Sequence, residues 1–169
     1  MGFHNHEYDT THATLATMYT APTKIPLPPL LQQLPDPPKE LWIRGTMPPW
    51  DTCIFVTLVG SRRYSEYGKM VVDRLIRDLV SAPIVLVSGL ALGIDELVHQ
   101  AALQYQIPTI AFPGSGLNDD TIAPATNYRL AMNIIASGGA LLSEFPPEQR
   151  AAPWTFPKRN RLMAGVSQA

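Results

Sequence analysis

From Thr52 onward the chain alternates short apolar runs with stretches of helical period. The first run, TCIFVTLVGSR, is rich in Val, Ile and Phe and ends in Gly60-Ser61-Arg62, which predicts a buried strand closed by a tight turn. Over Gly68 to Val80, the residues Val71, Val72, Leu75, Ile76, Leu79 and Val80 form one stripe, so an amphipathic helix follows. The alternation repeats: strand Ile84 to Val87, helix Gly93 to Gln106, strand Thr109 to Phe112, helix Pro124 to Ser137, and strand Ala140 to Leu142. A loop, PPEQRAAPW, then leads to a further helix from Phe156 to the end. Strands and helices in this order predict βαβ units: an α/β fold with a Rossmann-like parallel sheet flanked by helices. The pattern stops while a helix is running, so the sheet is expected to be incomplete on its C-terminal side.

Upstream the pattern fades. Residues 1–20 show no period and are expected to be a disordered tail. Residues 21–50 hold the proline-rich IPLPPLLQQLPDPP, an extended approach segment that Leu30, Leu31 and Leu34 could anchor, followed by a short edge strand at Leu41 to Gly45. Residues 51–169 are then the partial Rossmann-like core.

Composition narrows the function classes. The chain has 169 residues, 46% hydrophobic and 16% charged, with a formal net charge of −1. That is a globular composition, and any nucleic-acid affinity must come from a local basic patch. Cys53 is the single cysteine, within the first strand, and reads as a small hydrophobe in a reducing cytoplasm. No apolar run is long enough to span a membrane. His4, His6 and His12 could be weighed as metal ligands, but no cysteine or carboxylate cluster completes a site; no metal and no cofactor are expected.

Three strand ends carry small residues: Gly60-Ser61, Ser88-Gly89 and Gly114-Ser115-Gly116. In an open parallel sheet these ends face one crevice, and the helix N-termini beyond them favour anions. Arg62 sits at its rim. A second signal, Trp154-Thr155-Phe156-Pro157-Lys158-Arg159-Asn160-Arg161, places three cations beside two aromatics, which suits phosphates and unpaired bases. The alternative is a solvated helix start with both aromatics in the core. Asp95 and His99, four residues apart, read as an acid–base couple or a helix-surface contact. Glu144 could act on a sugar hydroxyl, serve as a base, or neutralise Arg62 or Arg161.

The strings PPLLQQLPDPPKELWIRG, VGSRRYSEYG, VSGLALGID, PATNYRLAMNIIASGGALLSEFP and FPKRNRLMAGVS, in this order, resemble the DprA/Smf DNA-processing family over about Ile25 to Ala169. The resemblance implies a non-catalytic Rossmann-like core that binds single-stranded DNA, helps load the RecA recombinase during natural transformation, and forms a homodimer. Carried over by motif, the phosphate-binding positions would be Gly60, Ser61, Arg62, Ser88, Gly89 and Gly93, with Lys158, Arg159, Asn160 and Arg161 completing a basic pocket. The residue reading adds Gly114, Ser115 and Phe156. Family members usually continue with more of the same domain, and carry an N-terminal helical domain and a winged-helix module, so a fragment or truncated product is expected. The rival classes are a nucleoside-monophosphate phosphoribohydrolase of the lysine-decarboxylase-like (LOG) type and a small-nucleotide sensor. The phosphoribohydrolases use PGGxGTxxE, where this chain has PGSGLNDD without the glutamate.

Overall fold

In the computed structural model, residues 21–169 are described; the expected disordered tail lies outside them. A six-stranded sheet holds the centre. Its strands are β1 (Thr23–Ile25), β2 (Leu41–Gly45), β3 (Ile54–Thr57), β4 (Ile84–Ser88), β5 (Thr109–Ala111) and β6 (Ala140–Ser143). The helices are α1 (Pro29–Gln32), α2 (Glu66–Asp78), α3 (Ile94–Gln104), α4 (Tyr128–Ala136) and α5 (Thr155–Val166). Across the sheet the order is β1-β2-β6-β5-β4-β3. The four strands β3 to β6 are parallel, joined by α2, α3 and α4 as crossovers, whereas β1 and β2 pair antiparallel to their neighbours. The α/β class is as expected, but the sheet is mixed rather than wholly parallel.

Two strand positions differ from expectation. Leu41–Gly45 is not an edge: it lies between β1 and β6, with Leu41, Ile43 and Arg44 buried. The proline-rich segment supplies β1 as the actual edge, and Leu31 of the short α1 is fully buried in the core. Conversely, β3 is an edge strand, and Ile54 on it is 47% exposed. That edge explains a third difference. At this flank α2 packs chiefly against α3, so Val72 and Ile76 are buried while Val71, Leu75 and Val80 of the expected stripe are exposed.

Pleating divides the core. Phe55, Val85, Val87, Ile110 and Leu142 face one side with Leu31 and α5's Leu162, Met163 and Val166. Leu86, Ala111 and Leu141 face the other, under α2, α3 and α4. The last helix therefore crosses behind the sheet. It ends at Val166, where the chain turns extended and lays Gln168 and Ala169 on the free edge of β3. There Gln168 N–H donates to the Phe55 carbonyl and Thr57 N–H donates to the Ala169 carbonyl, at 2.9 and 2.8 Å. The chain steps one way from β3 to β6, then returns to the far side of β3. The carboxyl end of β3 is the topological switch point, where open α/β sheets form their ligand crevice.

The proline-rich segment thus packs into the same core as the parallel strands. Leu31→Ala should destabilise the fold by about 2–5 kcal/mol, the usual cost of emptying a closed aliphatic site. Urea unfolding measures this, and a loss well under 1 kcal/mol would mean that the segment is only draped on the domain.

Candidate nucleic-acid interface

The crevice at the switch point has a volume of about 390 Å³. Gly60 and Arg62 from the β3–α2 loop form one wall, and Phe156, Asn160 and Met163 of α5 form the other, over a floor of Asp95 and Arg159. The Arg62 guanidinium sits over the Phe156 ring, 5.4 Å from its centroid. Behind this pair lies an apolar slot of about 110 Å³, lined by Gly89, Leu92, Pro124 and Phe156.

The floor is built from buried charge. Asp95, 4% exposed in the first turn of α3, accepts from the Gly60 N–H at 3.3 Å and the Gly89 N–H at 3.1 Å. One carboxylate therefore ties the end of β3 to the end of β4. Arg159, 5% exposed, donates to the Gly89 carbonyl at 2.5 Å and to the Phe112 carbonyl, reaching across β4 to β5. A Cβ on Gly89 would collide with both charged side chains, so only glycine fits between them. Burial raises the Asp95 pKa against the opposing pull of its N–H donors and of Arg159. Burial likewise pushes Arg159 down to about 10, with Arg62 adding to the effect and Asp95 resisting it. Backbone groups satisfy both buried charges, and the field of each favours the charged form of the other.

This arrangement redistributes the sequence-predicted residues. The N–H groups of Gly60 and Gly89 at the strand ends donate to the Asp95 carboxylate. Ser88 is buried and its hydroxyl donates to the Leu58 carbonyl; Ser115 is buried and donates to the Gly116 carbonyl. Gly114 lies under the Phe156 ring. Gly93, at φ +89°, packs against the Ser61 and Arg62 backbone and shapes the loop. The Ser61 hydroxyl is turned back onto the backbone of Arg63.

The FPKRNR motif splits by helix face. Phe156, Arg159 and Asn160 meet the crevice, where Asn160 accepts from Arg159 Nε at 3.1 Å. Lys158 and Arg161 turn to buried Glu144, at 3.6 and 2.5 Å, and Arg161 also reaches Asp36 at 3.4 Å. Of the alternatives for Glu144, the partner is Arg161.

Sequence reasoning missed three supports. Asp95 and His99 are neither an acid–base couple nor a surface contact, because the apolar residues around them carry α3 deep onto the sheet. His99 is fully buried, with Nδ1 on the Thr109 hydroxyl at 2.9 Å. Asn127 is the third: its side-chain amide donates to the Leu90 carbonyl at 2.9 Å, holding Leu90 at φ +58° in the SGLALG loop. The buried asparagine ahead of α4 was the available signal, but it does not reveal its partner in sequence.

A four-stranded parallel unit with a crevice at its switch point defines this molecule as a Rossmann-like α/β domain. Its lineage is equally plain. The chain belongs to the family described as DNA recombination-mediator protein A, whose match spans residues 19–169. It is 38% identical to Protein Smf of Escherichia coli K12 over 141 residues, covering 83% of this chain and 37% of that protein. It is 37% identical to DNA processing protein DprA of Bacillus subtilis 168 over 138 residues, covering 82% of this chain and 46% of that protein. This chain therefore spans less than half the length of these curated relatives. Among solved structures, DNA processing protein A from Helicobacter pylori, studied for its single-stranded DNA binding mode, superimposes with a TM-score of 0.79 at 31% identity, covering 90% of this chain and 68% of that one. DprA from Streptococcus pneumoniae gives 0.76 at 33%, covering 95% and 56%. No helix among the described residues is long and apolar enough to cross a membrane.

The buried histidine makes the fold acid-sensitive. Burial, with Arg159 nearby, lowers the His99 pKa from 6.5 to about 3. The unfolded chain binds a proton there below 6.5 and the folded chain does not, so stability falls as pH drops from 6.5 towards 3. The raised Asp95 works in the opposite sense at lower pH, so the informative window is just below neutrality. Between pH 7 and 5.5 the His99 loss should be about 1 kcal/mol. Chemical denaturation at both pH values should show it, and a folded His99→Gln variant should lack most of it.

Proposed function

We propose that the crevice binds single-stranded DNA without catalysis. The backbone runs past Arg62 and Asn160, and one base rests against Phe156. The observation that carries this reading is the Arg62–Phe156 pair at the crevice mouth, a phosphate-seeking cation and a stacking face held 5.4 Å apart. Extended strands need both, because every base has a π-face and every link a charge. The Helicobacter pylori neighbour, whose described property is single-stranded DNA binding, supports the substrate class. In this reading Arg159, Ser88 and Ser115 shape the site from within, Gly60, Gly89, Gly93 and Gly114 let its walls close, and Lys158 lies on its rim.

Delivery of the strand to a RecA-type recombinase, self-association and a cytoplasmic setting belong to the same proposal and rest on family membership. Phosphoribohydrolase and small-nucleotide readings are disfavoured by two contacts. The Asp95 carboxylate fills the N–H nest a mononucleotide phosphate would need. The Gly114-Ser115-Gly116 loop is buried and spent on internal contacts: Ser115 on Gly116, and the Gly114 carbonyl on the Thr155 hydroxyl.

A salt titration of oligo(dT) binding separates the two contacts. Arg62→Ala should weaken binding and make the slope of log affinity against log salt shallower by roughly 0.7, the single-strand value per neutralised phosphate. Phe156→Ala should cost on the order of 1–3 kcal/mol with the slope unchanged. Folded Arg62→Ala with native affinity and slope would move the DNA site elsewhere.

A further inference from the structure

Large exposed apolar side chains cluster on β3 and α2, at the open flank of the sheet. Apart from that unit, those among the described residues are Leu92 and Trp154. Leu92 lines the slot behind Phe156. Trp154 is 55% exposed at the N-cap of α5, two residues before Phe156. Its ring stands edge-to-face on Phe145, with centroids 5.6 Å apart and planes at 87°. Phe145 follows β6, and Phe156 covers Gly114, which follows β5. The two aromatic groups therefore occupy adjacent strand ends on the carboxyl edge of the sheet, about 5 Å apart in strand spacing.

The N-terminus of α5 is fixed against this edge. Thr155, between the two aromatics, is buried and donates to the Gly114 carbonyl at 2.6 Å. Lys158 stands over the Phe145 ring at 5.8 Å from its centroid. Arg161 closes on Glu144 at 2.5 Å, while Lys158, 45% exposed, is at 3.6 Å. Glu144 is thus neutralised from within, and the Lys158 ammonium keeps access to solvent. A half-bare indole beside an available cation repeats, one strand along, the chemistry of Phe156 with Arg62.

We infer that Trp154 and Lys158 form a second nucleotide subsite, which takes the base and phosphate next to those held by Phe156 and Arg62. This rests on the single-stranded DNA reading and gives the strand a direction: across the carboxyl edge from β3 towards β6. Stacking on Trp154 is indifferent to base identity, so the subsite adds affinity and length dependence rather than sequence preference.

The test compares thymidine 5′-monophosphate, which can fill one subsite only, with a longer oligo(dT), on the whole chain, after thermal melts confirm that each variant is folded. Trp154→Ala should weaken the long oligonucleotide by ~10-fold and the mononucleotide by less than about twofold, within the range expected of one stacked base. Phe156→Ala should weaken both. Trp154→Phe, which retains an aromatic face, should restore most of the affinity. It should also abolish most of the tryptophan quenching that the long oligonucleotide causes in the native chain, because Trp42 and Trp50 lie elsewhere, on β2 and against Phe55. Native affinity of Trp154→Ala for the long oligonucleotide, or unchanged quenching in Trp154→Phe, would overturn the subsite and leave the crevice reading standing. If the native chain does not bind the long oligonucleotide, the crevice reading falls, and the subsite with it.

Discussion

The buried meeting of Asp95 and Arg159 at Gly89 sets the geometry of everything around it. Asp95 gathers the ends of β3 and β4 by their backbone N–H groups, and Arg159 binds the carbonyls that follow β4 and β5. Together they hold three strand ends and two helices from opposite faces of the sheet in one arrangement. Removing either charge would leave backbone groups unpaired and be strongly destabilising, and two apolar substitutes could pack there but would satisfy none of these backbone groups. The crevice wall carrying Phe156 is consequently placed by a residue that never faces the ligand.

The same node changes what a glycine-rich strand end means. Three such ends suggest an anion cradle, and in many nucleotide-binding folds the free N–H groups perform that role. Here the protein supplies its own anion. In the proposed reading, phosphate recognition is displaced outward to side chains on the lip, where solvent competes and salt screens. A site of that kind suits a polymer that makes many weak contacts better than a mononucleotide that must be held by one.

Much of this fold is legible in the chain. The apolar runs from Ile54 to Ser143 mark all four parallel strands, and their spacing marks the crossovers. What the pattern does not contain is lateral order. Nothing in TCIFVT distinguishes an edge strand from a central one, so its exposure and the bare half of α2 follow only from topology. Leu41–Gly45 has the opposite problem, since its place inside the sheet depends on β1, a three-residue strand hidden among prolines. At the site, residue types were readable and orientations were not. FPKRNR is a run of cations in sequence, but helical rotation sends Arg159 into the core and Lys158 and Arg161 towards Glu144. Asp95 lies at the start of an ordinary amphipathic helix, and its role is written in two glycines 35 and 6 residues away.

The seating of Gln168 and Ala169 on β3 has a mechanical implication. α5 is fastened at its beginning by Thr155 and Arg159 and at its end by edge hydrogen bonds to Phe55 and Thr57. A helix clamped at both ends cannot swing like a flap. The crevice can widen only if the strap formed by the final fifteen or so residues peels from the edge, and that exposes Leu162, Met163 and Val166 together. The crevice wall and the rear core are therefore mechanically linked through α5.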